Sequence, residues 1–296
     1  MKPVYKIFFF ISVFLVVVSI MVALVFGLPL GADFKGGSVM EIKFNGDRPG
    51  LADIKETIIS VSGINDASVV FTESDGAIAR FNEVNETMHQ EVLTALSEKF
   101  GDVEEERFDS IGPLVGSELK SKSVTAIILV LLAIIIYIAF VFRRLSNVLS
   151  PWVMGLGAMG ALVHDIIIPV GIFAILGKYI GIEINAIFIA AILTILGYSV
   201  SDTVVVYDRV RENILRFGSR DDFSLTVHKS VMQTLSRSIN TTLTTILSLV
   251  AIYFFGGQTL KFFSLALIIG IVAGSYSSIF VAAPILIWLN KKHKAR

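Results

Sequence analysis

The chain has 296 residues, of which 54% are hydrophobic and 17% charged, with a mean hydropathy of +0.76. Those proportions exclude an ordinary soluble domain, in which about a quarter of the residues carry charge. The sequence has no cysteine, which excludes disulfides, thiolate zinc sites and iron–sulfur clusters, and its formal net charge of +0 hides a sharp segregation of charge along the chain.

Six apolar stretches reach the length a bilayer demands, about 20 residues at 1.5 Å rise each. They lie near 7–27, 123–142, 152–176, 184–207, 239–255 and 262–289. The first, IFFFISVFLVVVSIMVALVFG, is longer than a signal-peptide core, and no small-residue cleavage pattern follows it. The expected organisation is a first transmembrane helix in 1–30, an outward (periplasmic or extracellular) domain in 31–122, and a five-helix transmembrane bundle in 123–296 with a cytoplasmic loop at about 208–238.

Within 31–122 the pattern reads strand, helix, strand, strand, helix, strand. SVMEIKFN (38–45) alternates as a strand, and PGLADIKETIISV (49–61) has helical spacing with Pro49 near its start. DASVVFTE (66–73) and GAIARFN (76–82) are strands joined by a tight turn at Ser74–Asp75–Gly76. EVNETMHQEVLTALSEKF (83–100) is an amphipathic helix that stops at Gly101, and VEEERFDSI (103–111) pairs back. That order predicts a ferredoxin-like α+β (βαββαβ) unit. His89, its one histidine, is expected on an exposed helix face. The region holds no nucleophile–base pair. Residues 31–119 carry 18 of the 25 Asp and Glu against 7 Lys and Arg, a balance that argues against nucleic-acid binding.

Polar residues inside the apolar stretches are the functional candidates. The third stretch carries His164–Asp165 near its middle, preceded by Gly155, Gly157 and Gly160, which allow a neighbouring helix to approach. A central Asp costs about 2.5–3.5 kcal/mol on insertion scales, so it should face protein or water. The fourth stretch ends GYSVSDTVVVYDRVREN (197–213), with Tyr198, Ser201, Asp202 and Thr203 as a polar patch. Asp202 lies six residues before Asp208, about 9 Å inside the interface. The fourth and fifth stretches form an antiparallel hairpin. If it turns near Gly218–Ser219–Arg220, Arg237 lies level with Asp202, and Asn240 and Thr241 sit just deeper. Arg237 is therefore the expected counter-ion of Asp202, either in a proton relay or in a permanent ion pair. The sixth stretch has small residues at Gly270, Ala273, Gly274, Ser275, Ser277 and Ser278, which imply close packing on a neighbouring span or a partner chain.

Lys and Arg set the orientation. Lys2, Lys6, Arg143, Arg144, six basic residues of 208–238 and the tail Lys291, Lys292, Lys294 and Arg296 share one side; the opposite short loops offer Lys178 and Lys261. Both termini are expected in the cytoplasm of a multi-pass cell-membrane protein. Walker-type loops, G-x-S-x-G and H-E-x-x-H are absent, so no enzyme activity, metal site or cofactor is expected.

The motifs together resemble the SecF family of protein-export membrane subunits, which pair with SecD. GADFKGG (31–37), IGPLVGSEL (111–119), HD (164–165), GYSVSDTVVVYDRVREN (197–213), SRSINTTLTT (236–245) and GSYSSIFVA (274–282) fit that family in order and spacing. The resemblance covers nearly the whole chain. One departure is Ser201, where members often carry Asn. The resemblance implies half of a resistance–nodulation–division-type transporter, completed by a SecD-like subunit. It implies work beside the Sec translocation channel on an unfolded translocating polypeptide, using the proton-motive force. It places Asp202 and Arg237 in the proton pathway; the residues themselves add Asp165 and His164 as a second candidate for proton handling, and Tyr198, Ser201, Thr203, Asn240 and Thr241 as supporting polar groups. Two other readings fit the architecture: half of a proton-driven small-molecule or lipid exporter, and a passive scaffold of the translocation channel.

Overall fold

The computed structural model describes residues 3–72, 75–143, 150–217 and 222–294. Lys2, Ser74 of the expected strand turn, Arg144, the Gly218–Ser219–Arg220 turn and the side chains of the basic tail lie outside the described residues. The chain divides into two compact units. One comprises Met1–Leu28, Thr125–Ile182 and Ile187–Arg296, the other Pro29–Val124 with Glu183–Ala186.

In chain order the elements are α1 (Pro3–Phe26), α2 (Ala32–Lys35), β1 (Gly37–Phe44), α3 (Leu51–Ser60), β2 (Ala67–Phe71), β3 (Gly76–Phe81), α4 (Glu86–Phe100) and β4 (Val103–Ile111). They continue with α5 (Pro113–Val141), α6 (Pro151–Ile180), α7 (Ala186–Phe217), α8 (Phe223–Phe255) and α9 (Gln258–Ser277). A π-helical turn (Ser278–Ala282) then leads into α10 (Ala283–Lys294). Among the described residues, six helical segments are long and apolar enough to cross a membrane: α1, α5, α6, α7, α8 and the α9–α10 run. They correspond to the six expected stretches.

Local chemistry sets the helix ends. Ser150 precedes α6 with Pro151 at its first position, where the missing N–H is no loss. Gly181 ends α6 in the left-handed region, at φ 70°, with its N–H bonded to the Gly177 carbonyl. The Asp222 carboxylate caps α8 by accepting from the Ser224 N–H. The core of the bundle is a cluster that includes Ile138, Met154, Ala158, Val206, Tyr207 and Leu286. By contrast α1 and α5 leave Phe10, Phe14, Leu129 and Ile136 exposed, surfaces that water cannot cover favourably but lipid can.

The small residues of the sixth span pack within the chain. A Cβ on Gly270 would collide with Ile195 of α7, and one on Gly274 would lie 2.9 Å from the Ser199 Cβ of the same helix. Of the two partners the sequence left open for this face, the structure shows a neighbouring span.

The second unit is a four-stranded antiparallel sheet in the order β2-β3-β1-β4, with α3 and α4 in the βαββαβ order. Met40, Ile42 and Phe44, at alternate positions of β1, share one core with Ile54 and Ile58 of α3 and Val92 and Leu96 of α4. The α4 helix starts at Glu86 rather than at 83, because the Asn85 side chain accepts from the Met88 N–H and caps it. His89 is buried rather than exposed. Its two ring nitrogens meet Glu86 and Glu105 at 3.2 and 3.0 Å, and its ring stacks on Phe108 at 3.7 Å. The sequence signal misled because an amphipathic wheel cannot show that β4 brings up Glu105 to satisfy the buried imidazole.

This unit also takes in Glu183–Ala186, the short link between α6 and α7. The Gly31 N–H donates to the Ile184 carbonyl at 2.9 Å, and the Ile184 N–H to the Pro29 carbonyl at 2.6 Å. The Ala186 N–H donates to the Asp33 carboxylate at 2.7 Å, and Arg80 pairs with Glu183 at 2.9 Å. Burial raises the Glu183 carboxyl above the usual carboxylate range, against the pull of Arg80.

Candidate functional site

Asp165 and Asp202 lie among the polar residues of the apolar stretches, each carboxyl group held by hydroxyls. Asp165 of α6 has no solvent-exposed surface, 0%. Its Oδ1 accepts from His164 Nδ1 at 2.9 Å. Its Oδ2 accepts from Ser199 Oγ of α7 at 2.5 Å and Ser277 Oγ of α9 at 2.8 Å. An imidazole that donates from Nδ1 keeps its lone pair on Nε2. The His164 Nε2 is buried and has no hydrogen-bond partner among the described residues, while the ring lies parallel to Tyr276 with centroids 6.0 Å apart. The histidine thus has one ring nitrogen held by the Asp165 carboxyl group and the other unpartnered among the described residues.

Asp202 of α7 is half-buried. Its Oδ1 accepts from Ser238 Oγ of α8, and its Oδ2 from Ser278 Oγ at 2.6 Å. The expected contact with Arg237 is not made. Arg237 is exposed and faces a cleft of about 240 Å³ shared with Val205, Asp208, Arg209 and Gln233. The height was right and the helical phase was not. Asp202 meets position 238 and Tyr198 meets Thr245, so the α7–α8 register runs one or more residues beyond the expected pairing. One residue of offset turns a side chain by about 100° around the axis, which replaces Arg237 by Ser238. Among the described residues, no Lys or Arg forms an ion pair with Asp165 or Asp202.

The supporting residues divide. The Tyr198 hydroxyl meets Thr245 Oγ1 at 3.4 Å. Thr203 is buried with its hydroxyl unpartnered among the described residues. Ser201, Asn240 and Thr241 are exposed, and Thr241 Oγ1 donates to the Arg237 carbonyl at 2.9 Å. Arg237, Asn240, Thr244 and Ser248 follow one another at helical spacing on an exposed stripe of α8. The four serines that hold the acids were not singled out as ligands. Ser199 precedes Asp202 by three residues and Ser238 follows Arg237, which were the available signals. Ser277 and Ser278 registered only as small.

Comparison with known proteins places this geometry in a family. The description "Protein export membrane protein SecD/SecF, C-terminal" matches residues 91–292, and "SecD/SecF GG Motif" matches residues 22–47. Protein translocase subunit SecF of Thermobaculum terrenum is 43% identical over 96% of this chain and 92% of its own length. Protein translocase subunit SecDF of Brucella abortus is 39% identical over 90% of this chain, which spans 34% of that longer protein. The crystal structure of SecDF, a translocon-associated membrane protein from Thermus thermophilus, superposes with a TM-score of 0.82 at 27% identity. It covers 99% of this chain, and this chain covers 38% of it.

Proposed function

The chain belongs to the SecD/SecF family of protein-export membrane proteins, and we propose that it is the SecF-like half of a Sec-dependent protein translocase driven by protons. In this reading Asp165 and Asp202 take up and release the protons, and His164 passes them through its open Nε2. The observation that carries it is Asp165. A carboxyl group in a membrane-spanning helix, wholly buried and held by an imidazole and two hydroxyls, costs insertion energy and pairs with no Lys or Arg among the described residues. Neutral donors of this kind serve both the charged and the protonated carboxyl, as a proton carrier requires.

Asp202 is the second carrier, with Ser238 and Ser278 in place of the expected guanidinium. Arg237 acts from the exposed stripe of α8, toward the other half of the assembly. Polar side chains at membrane depth face protein or a water-filled cavity rather than lipid. Two relatives carry the SecDF name on one longer chain, which supports a SecD-like subunit as the partner of that stripe. The second unit, ferredoxin-like by its βαββαβ order, is placed outside the cytoplasmic face, where it would handle the emerging polypeptide beside the Sec channel.

The experiment is translocation of a secretory protein into inverted vesicles, with and without an imposed proton gradient. Asp165→Asn and Asp202→Asn should each leave the gradient-independent part intact and remove the gradient's stimulation. Full stimulation in both variants would overturn the proton role. Co-purification of a SecD-like chain separates the translocase from a half-exporter, which would instead bring down a multidrug or lipid exporter half.

A further inference from the structure

Two consecutive residues, Ser277 and Ser278, touch the two acids on different helices. Ser277 Oγ lies 2.8 Å from Asp165 Oδ2, and Ser278 Oγ lies 2.6 Å from Asp202 Oδ2. Neighbours on an α-helix point about 100° apart, so α9 reaches α6 with one hydroxyl and α7 with the next. Both serines have 0% exposed surface. They stand where α9 gives way to the π-helical turn Ser278–Ala282, and turns of this kind recur at functional sites.

Each hydroxyl has a second acceptor within reach. Ser277 Oγ is 3.1 Å from the Gly274 carbonyl, and Ser278 Oγ is 3.0 Å from the Ser275 carbonyl. A serine hydroxyl has one proton and can accept as well as donate. Beside a carboxylate it donates to the charge, because charge-assisted bonds are the stronger ones. Once the carboxyl is protonated, the carboxyl O–H donates to the serine oxygen and the serine turns its own proton to the carbonyl. No hydrogen bond is lost in either state, and the single proton added resides on the carboxyl.

We propose that Ser277 and Ser278 are a pair of hydroxyl switches that tie Asp165 and Asp202 into one titrating unit, so that protonation of either acid changes the proton affinity of the other. The inference rests on the reading of these acids as proton carriers. The coupling runs through a shared element. Turning either hydroxyl adds a bond to a carbonyl in the last turn of α9, and both carbonyls belong to the turn that positions the other serine. The remaining titratable groups around the pair are His164 from α6, Tyr207 from α7 and Tyr276 from α9. The Tyr207 hydroxyl reaches the Ala282 carbonyl of the π-helical turn at 3.4 Å. On α8, Arg237 lies one residue from Ser238 and forms no ion pair with either acid among the described residues.

The test is a pH titration of the carboxyl C=O infrared bands of the full chain with its co-purified partner in lipid nanodiscs. Asp165→Asn and Asp202→Asn assign each band. The proton affinity of Asp165 in the native protein should differ from that in Asp202→Asn by at least about fivefold, a usual size for coupled sites. Ser277→Ala or Ser278→Ala should reduce that factor toward one, since each acid keeps its other donors. Ser278→Thr, which retains a hydroxyl, should restore it. A factor that persists in both alanine variants would show direct electrostatic coupling and overturn the switch. A factor of one in the native protein would overturn it as well. Bands that do not titrate at all would instead overturn the proton-carrier reading on which it rests. If the alanine variants do not assemble, Ser277→Cys and Ser278→Cys, which nearly keep the side-chain size but donate only weakly, should lower the factor toward one, and a native factor in both would overturn the switch.

Discussion

A carboxyl group inside a membrane helix must lose its charge, find a cation or be surrounded by donors, and Asp165 and Asp202 are surrounded. That choice has a consequence for stability. A permanent pair with Arg237 would leave a buried, uncompensated charge in Asp202→Asn, at a cost of about 3–5 kcal/mol. With serines as the ligands, asparagine leaves no charge behind, and the change in stability should stay within about 1 kcal/mol, the scale of one neutral hydrogen bond. Thermal unfolding of the two purified forms in the same detergent measures this, and a loss above about 3 kcal/mol would restore the ion pair. The acids themselves were legible in the sequence because charge stands out against an apolar background. The serines were not, since a serine is unremarkable in a membrane helix until a neighbour supplies its acceptor. Arg237 drew the pairing by its charge, and one residue of register, invisible without the structure, gave the place to Ser238.

At the scale of elements, helix lengths and strand alternation carry most of the architecture. The six spans are legible in the length of the apolar runs, and the βαββαβ order in periodicity and turn residues such as Gly101. The π-helical turn at Ser278–Ala282 has no such signature, because it depends on what α9 packs against. The inclusion of Glu183–Ala186 in the sheet-bearing unit is equally hidden, since its bonds to Pro29, Gly31 and Asp33 span some 150 residues of sequence. The GADFKGG segment shows why two adjacent glycines are needed. Gly36 has φ +78°, and a Cβ there would lie 2.7 Å from the Pro113 Cα; Gly37 has φ +131°, and its Cβ would lie 2.8 Å from the Phe81 carbonyl oxygen. Gly36, at φ 78° and ψ 160°, occupies a region nearly confined to glycine, which costs another residue about 1–3 kcal/mol, and backbone atoms cannot yield as a side-chain tip can. Gly36→Ala should therefore speed proteolytic cleavage of 29–124 by roughly tenfold or more while leaving the bundle intact, a contrast that limited proteolysis of the full chain reads directly. Equal cleavage rates would mean that the loop relaxes freely.

The whole molecule is a multi-pass membrane protein of two units, with apolar helices that need lipid and a polar stripe on α8 that needs something else. The segregation of Lys and Arg predicts its orientation. Cysteines replacing Glu98, in α4, and Leu215, at the end of α7, should react with an impermeant thiol reagent from opposite sides of the membrane, and the chain's lack of native cysteine makes the assay clean. Same-side labelling would contradict the arrangement. The central claim is that the acids carry protons, and it is tested most directly by proton flux. The chain and its co-purified partner are reconstituted in vesicles with an internal pH dye, and an imposed gradient is applied while a polypeptide is being translocated. In inverted vesicles the native complex should move protons out of the lumen, opposite to the polypeptide, at a rate that Asp165→Asn and Asp202→Asn each reduce by at least about tenfold, with assembly unchanged. Native flux in both variants would contradict the account.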